Sequence, residues 1–497
     1  MGGVGDVVRD LPLALTQLGW SATVVTPSYG MFAKTPGSKQ LEPVTTMFRG
    51  ERHSIDVFEV PGSIVEVRNI VFEHPLFSPL GPGLVYCGLE SEGPFATDAN
   101  KFALFGAATA SWLRQLDNKP DVVHLHDWHA AFYCLLRNFD PAFCSLQSIR
   151  TVFTIHNLSY QGTRPLRDHE SSLEAWFPDL DYEPSLVRDP QQTHCINPLA
   201  LGIRAADRVS TVSPTYAREI LRPSEPERGF IGGEGLETQL GNVARAGRLV
   251  GILNGCDYSA PTGRRPGWQR IVAAADAQVN EWLEADPGNP VHELAAARLA
   301  ALPARRPAHV LTSIGRLVQQ KVSLFLEQMT DGRSALEHVV ANLGSQGVLL
   351  LLGSGEPALE QRVFAIAQRC PRLVFLRGYA ESLSEPLYRA GDLFLMPSSF
   401  EPCGISQMLA MRAAQPCVVH GVGGLCDTVD DDTGFVFAGD TPARQAANFV
   451  AAVNEALTLK ANEPTSWQQL CSRAAAKRFD WTLSAQRTID ELYEFAD

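Results

Sequence analysis

Arg316 and Lys321 stand five residues apart in Gly315-Arg-Leu-Val-Gln-Gln-Lys321, directly after an apolar run that reads as a buried strand. Two cations at a strand's carboxyl end, in a chain of net charge −13, are suited to clamp a diphosphate. Taken alone, the same pair reads as surface charge. Glu401 lies between the apolar run Leu393–Met396 and a helical pattern whose stripe is Ile405, Leu409 and Met411. Pro402 suits the first turn of that helix, so Glu401 is either an N-terminal helix charge or a carboxylate facing a ligand. Tyr379, in Gly378-Tyr-Ala-Glu381, offers an aromatic face at a further strand end. Gly421-Val-Gly-Gly-Leu-Cys-Asp-Thr428 is a glycine loop before a helix, with backbone amides suited to phosphate. Each such loop is a weak signal by itself. Four of them at one edge of one sheet mark a binding edge.

The first half of the chain repeats the design with different chemistry. Asp121-Val-Val-His-Leu-His-Asp-Trp-His-Ala130 is a strand running into His124, His126, Asp127 and His129. These invite a metal reading, but Asp127 falls one place early for the His-x-His-x-Asp-His spacing of binuclear hydrolases. No Glu-x-x-His or Cys-x-x-Cys stands nearby to support it. Neutral imidazoles and a carboxylate at a strand end equally suit the hydroxyls of a sugar. Thr151-Val-Phe-Thr-Ile-His-Asn-Leu158 is a second such strand, ending in His156 and Asn157, and Arg208-Val-Ser-Thr-Val-Ser-Pro-Thr-Tyr216 is a third unit. Met1-Gly-Gly-Val-Gly-Asp6 passes straight into a helical pattern. Gly2 and Gly3 would let amides approach a phosphate or sugar, although an untidy N-terminus gives the same pattern.

Positioning these residues takes alternating strands and helices. Strands are expected at Ala22–Thr26, Ile55–Val60 and Val65–Phe72, and a long helix at Ala99–Leu116. The stretch from Tyr258 to Arg306 is rich in Pro and Ala, has no clear strand and ends in a helical pattern at Leu294–Leu302. A second series of strands follows at His309–Ile314, Val348–Leu352, Leu373–Leu376, Leu393–Met396 and Val418–His420. The pattern predicts an α/β protein with two doubly wound parallel sheets and a cleft between them. A length of 497 residues also asks for two domains. The expected division is 1–250, 251–478 and a final helix in 479–497.

Composition narrows the function classes. Hydrophobic residues at 45% and charged residues at 20% describe a globular protein. No apolar run approaches the roughly 20 residues of a membrane span. Asp6, Arg9 and Asp10 set the opening apart from a signal peptide. The negative net charge argues against a nucleic-acid partner. Ten scattered cysteines without a Cys-x-x-Cys pair suit reduced thiols in a cytoplasm. No feature fixes an oligomeric state.

The chain resembles the bacterial glycogen synthase and plant starch synthase family over nearly its whole length. Gly-Gly-Val-Gly-Asp-Val-Val, His-Asp-Trp-His-Ala, Thr-Ile-His-Asn-Leu-Ser-Tyr-Gln-Gly, Thr-Val-Ser-Pro-Thr-Tyr-Ala, Gly-Ile-Leu-Asn-Gly, Gly-Arg-Leu-x-x-Gln-Lys, Phe-Glu-Pro-Cys-Gly and Gly-Gly-Leu-x-Asp-Thr-Val carry the resemblance, in that order. It implies a GT-B fold of two Rossmann-like domains, with the last helix crossing back to the first. It further implies retaining transfer of glucose from ADP-glucose to the non-reducing end of an α-1,4-glucan, without a metal or other cofactor. UDP-glucose, another acceptor, or a weakened relative that only binds remain alternatives. By the resemblance, Arg316 and Lys321 hold the diphosphate, Glu401 binds glucose hydroxyls, and Tyr379 stacks on the nucleobase. His156 contacts the sugar, with Asn157 and Asp127 shaping the acceptor side. Gly2, Gly3 and Asp6 face donor and acceptor, and Gly423, Gly424 and Leu425 offer amides to phosphate. Asn254, Cys403 and Gly404 lie within the matching motifs and join the expected substrate-binding set.

Four departures stand out. Met1 stands one place after the family's lysine, Val322-Ser-Leu-Phe325 replaces the usual Gly-x-Asp-Leu, and Val422 stands where threonine is common. After Gly255 the usual pattern is reduced to Cys256-Asp257. The first strand of a doubly wound domain lies mid-sheet, so its absence here would leave two neighbouring strands unpaired. The expectation is a truncated start, with roughly fifteen further residues upstream.

Overall fold

The computed structural model describes residues 3–62, 66–87, 95–258 and 265–494. Its contacts divide the chain into two compact units. Residues 1–224, 232–255 and 481–497 form the first, and 225–231 with 256–480 form the second.

In the first unit, helix α1 (Gly3–Gln17) buries Val7, Leu11, Ala14 and Leu15, the one-face spacing of an amphipathic helix. Strands β1 (Ala22–Pro27), β2 (Lys39–Gln40), β3 (Val44–Phe48), β4 (Glu51–Val60) and β5 (Val67–Glu73) form a mixed sheet in the order β1-β5-β4-β2, with β3 also on β4. Only the β1–β5 pair is parallel in that sheet. Helix α2 (Ala96–Gln115) is buried along most of its length. A separate, wholly parallel sheet holds β6 (Val122–His126), β7 (Arg150–Ile155), β8 (Arg208–Thr211) and β9 (Leu249–Gly251) in the order β9-β8-β7-β6. Among the described strands, β1 and β6 are each paired on one side only. Burial records the same fact: Val24, Val25, Val122 and Val123 are half-buried, whereas Thr151 to Ile155 of β7 are all buried. The last helix, Trp481–Thr488, continues as a π-type turn to Tyr493. Its Ala485, Ile489 and Leu492 share a core with Val7, Leu11 and Leu15.

The second unit has one unbroken sheet. Helix α3 (Trp268–Ala285) precedes β10 (His309–Ile314), α4 (Gln319–Leu326), β11 (Gly347–Gly353) and β12 (Leu373–Arg377). Then come β13 (Leu393–Met396), α5 (Ser406–Arg412), β14 (Cys417–His420), α6 (Gly423–Thr428) and β15 (Gly434–Phe437). All six strands are parallel, in the order β12-β11-β10-β13-β14-β15. Successive residues of β11 serve opposite cores. Leu349 and Leu351 pack on one face of the sheet, Val348, Leu350 and Leu352 on the other. Each such side chain contributes about 1.5–3 kcal/mol when fully buried, which is why strands of this kind read as unbroken apolar runs. The strands expected at His309–Ile314 and Leu393–Met396 form with those bounds. Neither α3 nor β15 was expected. The alanines of α3 weaken its apolar stripe, and β15 has only four residues.

Strand order reverses between β10 and β13. In a doubly wound sheet the loops leaving two such strands diverge to opposite faces and open a crevice at their carboxyl ends. The loop after β10 carries Arg316 and Lys321, and the loop after β13 carries Glu401. The fold alone nominates that place.

Candidate active site

Lys321 and Glu401 meet at this switch point, where Lys321 Nζ donates to Glu401 Oε2. Ser398 Oγ donates to the same carboxylate oxygen at 3.1 Å. Arg316 lies in the exposed loop before α4 and lines a cavity of about 30 Å³ together with Lys321 and Ser398. The Glu401 residue is 5% exposed. A carboxylate this deep is tolerable because a cation and a hydroxyl both satisfy it.

Glu401 is not a helix N-terminal charge. Helix α5 begins at Ser406, five residues later, and Pro402 sits outside it. Gly404 has φ +76°, a left-handed conformation that prevents the helix from starting at Pro402. Other residues hold the loop instead. Gln320 Nε2 donates to the Phe400 carbonyl at 2.8 Å, and the Ser399 amide donates back to the Gln320 carbonyl at 2.9 Å. His420, at the end of β14, lies 3.0 Å through Nδ1 from the Ser398 carbonyl, so Nδ1 carries the proton. Burial lowers the pKa of His420 to about 4. Sequence reasoning passed over Ser398, Gln320 and His420. The signal for His420 was present: a histidine ending an apolar strand, as at His126 and His156.

The glycine loop differs from expectation. The Gly424 amide donates to the Glu401 carbonyl at 3.0 Å, and the Leu425 amide to the Val422 carbonyl at 3.1 Å. Both amides are therefore engaged within the protein, and the Leu425 side chain is wholly buried. What the loop supplies here is a brace for Glu401. Gly424 must be glycine, because a Cβ there would stand 2.4 Å from the Cys403 carbonyl oxygen. Cys403 is itself buried against that loop.

Tyr379 follows β12 and is 65% exposed, its ring available for stacking. Gly378 just before it has φ +154°, and a Cβ there would meet Trp282 of α3 at 2.5 Å. Trp282 thus backs the turn that presents Tyr379, a support hidden in a stretch that the sequence left without assigned structure.

In the first unit, Asp127, His126, His156 and Asn157 come together at the carboxyl ends of β6 and β7. The His156 amide donates to Asp127 Oδ1 at 2.7 Å, and the Asn157 amide also bonds this carboxyl. Burial outweighs those bonds and raises Asp127 to about 7. Asp127 has φ +55°, an uncommon conformation for a residue with a side chain. His126 Nδ1 lies 3.0 Å from His156 Nε2, and burial lowers His126 to about 4 and His156 well below the usual range. His124 bridges Tyr493 Oη at 2.8 Å and Thr154 Oγ1 at 2.6 Å. These imidazoles are neutral near pH 7, the form suited to hydroxyl groups. Among the described residues, no group of three His, Cys, Asp or Glu side chains is arranged to hold a metal.

Within that cluster the Asn157 side chain is engaged locally, and the other expected residues lie apart from it. Asn157 Oδ1 accepts from the Ser159 amide at 3.0 Å, shaping the turn. Asn254 is buried beyond β9, and its neighbour Gly255 is pressed against Trp481. Gly3 opens α1, and Asp6 in its first turn pairs with Arg9 at 3.3 Å. Gly2 lies outside the described residues.

Sequence comparison matches residues 1–242 to the starch synthase catalytic domain and residues 308–458 to the group 1 glycosyl transferases. A glycogen synthase of Gloeobacter violaceus is 31% identical, over 99% of this chain and 94% of that protein. One of Lactiplantibacillus plantarum is 33% identical, over 98% and 94%. Among solved structures, the catalytic domain of starch synthase IV from Arabidopsis thaliana, bound to ADP and acarbose, superposes with a TM-score of 0.75. It is 26% identical and covers 99% of this chain and 95% of that one.

Proposed function

This chain belongs to the glycogen and starch synthase family of glycosyltransferases, and we propose that it transfers glucose from ADP-glucose to an α-1,4-glucan with retention of configuration. The observation that carries the reading is the Lys321–Glu401 pair at the switch point of the second sheet, with Arg316 beside it. In the proposed reaction Arg316 and Lys321 neutralise charge growing on the departing ADP. Glu401 orients the glucose hydroxyls and steadies the cation-like sugar. The leaving phosphate takes the acceptor's proton, so no side chain is assigned as general base. Tyr379 stacks on the base. On the first unit, His156, Asn157 and Asp127 receive sugar hydroxyls. ADP in the Arabidopsis structure supports the choice of donor. Ten scattered cysteines without a Cys-x-x-Cys pair support a reducing compartment, the cytoplasm, and no helix among the described residues is long and apolar enough to cross a membrane.

The test is incubation with glycogen and either labelled ADP-glucose or labelled UDP-glucose. The proposal expects label in α-1,4 linkage chiefly from ADP-glucose. Preference for UDP-glucose would overturn the donor assignment. No label from either would leave a binding protein.

A further inference from the structure

Gln407 lies in the first turn of α5, wholly buried, and touches no residue assigned above to substrate except through backbone. Its Nε2 lies within hydrogen-bond distance of three acceptors. These are the Gly404 carbonyl at 2.9 Å, Thr428 Oγ1 at 3.1 Å and the Cys403 carbonyl at 3.2 Å. Two N–H groups can serve all three only if the neighbouring carbonyls share one. Thr428 Oγ1, accepting from Gln407, donates its own proton to the Gly424 carbonyl at 2.8 Å. The Gly424 amide in turn donates to the Glu401 carbonyl at 3.0 Å. The bonds close a ring: Glu401, Gly424, Thr428, Gln407, and back to the loop at Cys403 and Gly404.

The arrangement is costly. Gln407 Oε1 is buried without a hydrogen-bond partner and faces Gly404, where a Cβ would stand 2.4 Å away. Turning the amide over would aim Oε1 at two carbonyls, and Thr428 could donate to it only by giving up the Gly424 carbonyl. The fold thus leaves an acceptor unsatisfied to keep both amide protons on this ring.

We propose that Gln407 and Thr428 are positioning residues that lock the Glu401 loop and the glycine loop into one rigid piece. The Glu401 carboxylate then meets the sugar in a geometry set by the glycine loop. Neither residue touches the reacting atoms; both act through Glu401. The inference rests on the glucosyl-transfer reading for its kinetic part only.

The experiment compares Thr428→Val, Thr428→Ser, Gln407→Leu and the double variant Thr428→Val/Gln407→Leu with the wild-type chain. Glucose transfer to glycogen and amide hydrogen exchange of residues 400–405 are both measured. Thr428→Val is expected to lower kcat about tenfold with donor KM held within about threefold, the split expected when an interaction is used mainly in the transition state. Thr428→Ser, which keeps the hydroxyl, is expected within about twofold of wild type. The double variant is expected to lose no more than the worse single one, because one ring can be opened only once. Exchange over 400–405 is expected to accelerate in Thr428→Val and stay unchanged in Thr428→Ser. Equal loss in the Ser and Val variants, losses that multiply in the double, or unchanged exchange would each overturn the proposal. If Gln407→Leu does not fold, the two Thr428 variants decide. If the wild-type chain transfers no glucose, the functional reading fails and exchange alone decides the ring.

Discussion

Both units present their polar residues at the carboxyl ends of parallel strands, but they hold those strands differently. The second unit has six parallel strands in one sheet, with cores on both faces. The first has two sheets whose edges, β1 and β6, are paired on one side among the described strands. Trp20, just before β1, and Val122, at the start of β6, line one cavity of about 380 Å³. A parallel strand normally relies on neighbours to bury both faces and satisfy its amides. Arg316, Lys321 and Glu401 follow strands paired on both sides, whereas His126 and Asp127 stand at the end of a strand that is paired on one side only among the described strands.

The largest test of that contrast is to offer the open edges of β1 and β6 a partner strand. Five apolar residues fused ahead of Met1 and pairing between β1 and β6 would bury side chains worth on the order of 10 kcal/mol. At about 2–4 °C per kcal/mol for a unit of this size, the melting temperature of the first unit should rise by about 20 °C or more, with the second unit unchanged. Calorimetry with the extended and unextended chains checks this, and equal melting of the first unit in both would break the contrast.

A smaller effect is expected at the switch point of the second sheet. Lys321→Met and Arg316→Met each remove a charge-assisted contact worth about 1.5–3 kcal/mol, so kcat should fall roughly ten- to a hundredfold. Circular dichroism should stay that of the wild-type chain. Wild-type rates at saturating donor would remove these cations from the mechanism.

Acidity should sharpen the contrast further. His124, His126, His129 and His156 are all shifted downward, chiefly by burial, with His126 at about 4 and His129 at about 3. Their contribution to stability is present above the ordinary imidazole value near 6.5 and lost as pH falls through the folded values. Asp127, raised to about 7, acts oppositely: its contribution is present below the ordinary carboxyl value and lost as pH rises through 7. Four imidazoles outweigh one carboxyl, so the first unit should melt several degrees lower at pH 5 than at pH 7. Asp127→Asn removes the opposing group and should steepen that loss. A first-unit melting temperature that is flat between the two pH values would show that the imidazoles do not titrate as their burial requires.

How much was legible in the sequence follows from the same physics. A strand buried on both faces must be apolar throughout, so β10 and β13 could be read to the residue. So could the polar residues that end such strands, from His126 and His156 to Arg316. Helix α3 could not, because its buried face is partly alanine, which marks no side. Contacts between loops distant in sequence left no periodic trace either. Nothing in Gln407 or Thr428 announces a shared ring, and nothing in Gly424 or Leu425 says that their amides are already engaged. The position of Glu401 between an apolar strand and a helix was readable, but what surrounds its carboxylate was not. Only the left-handed Gly404 separates it from α5 and removes the helix-charge explanation.

In the proposed reaction Glu401 acts on the sugar in transfer and not merely as a partner that holds Lys321. Glu401→Gln keeps the shape and the hydrogen bond from Ser398 while removing the charge. The decisive measurement is kcat for glucose transfer beside the dissociation constant of ADP in this variant. The kcat is expected to fall about a hundredfold while ADP affinity stays within about threefold, as for a group used mainly in the transition state. Loss of ADP affinity in proportion to kcat would contradict it and make Glu401 a structural partner of Lys321.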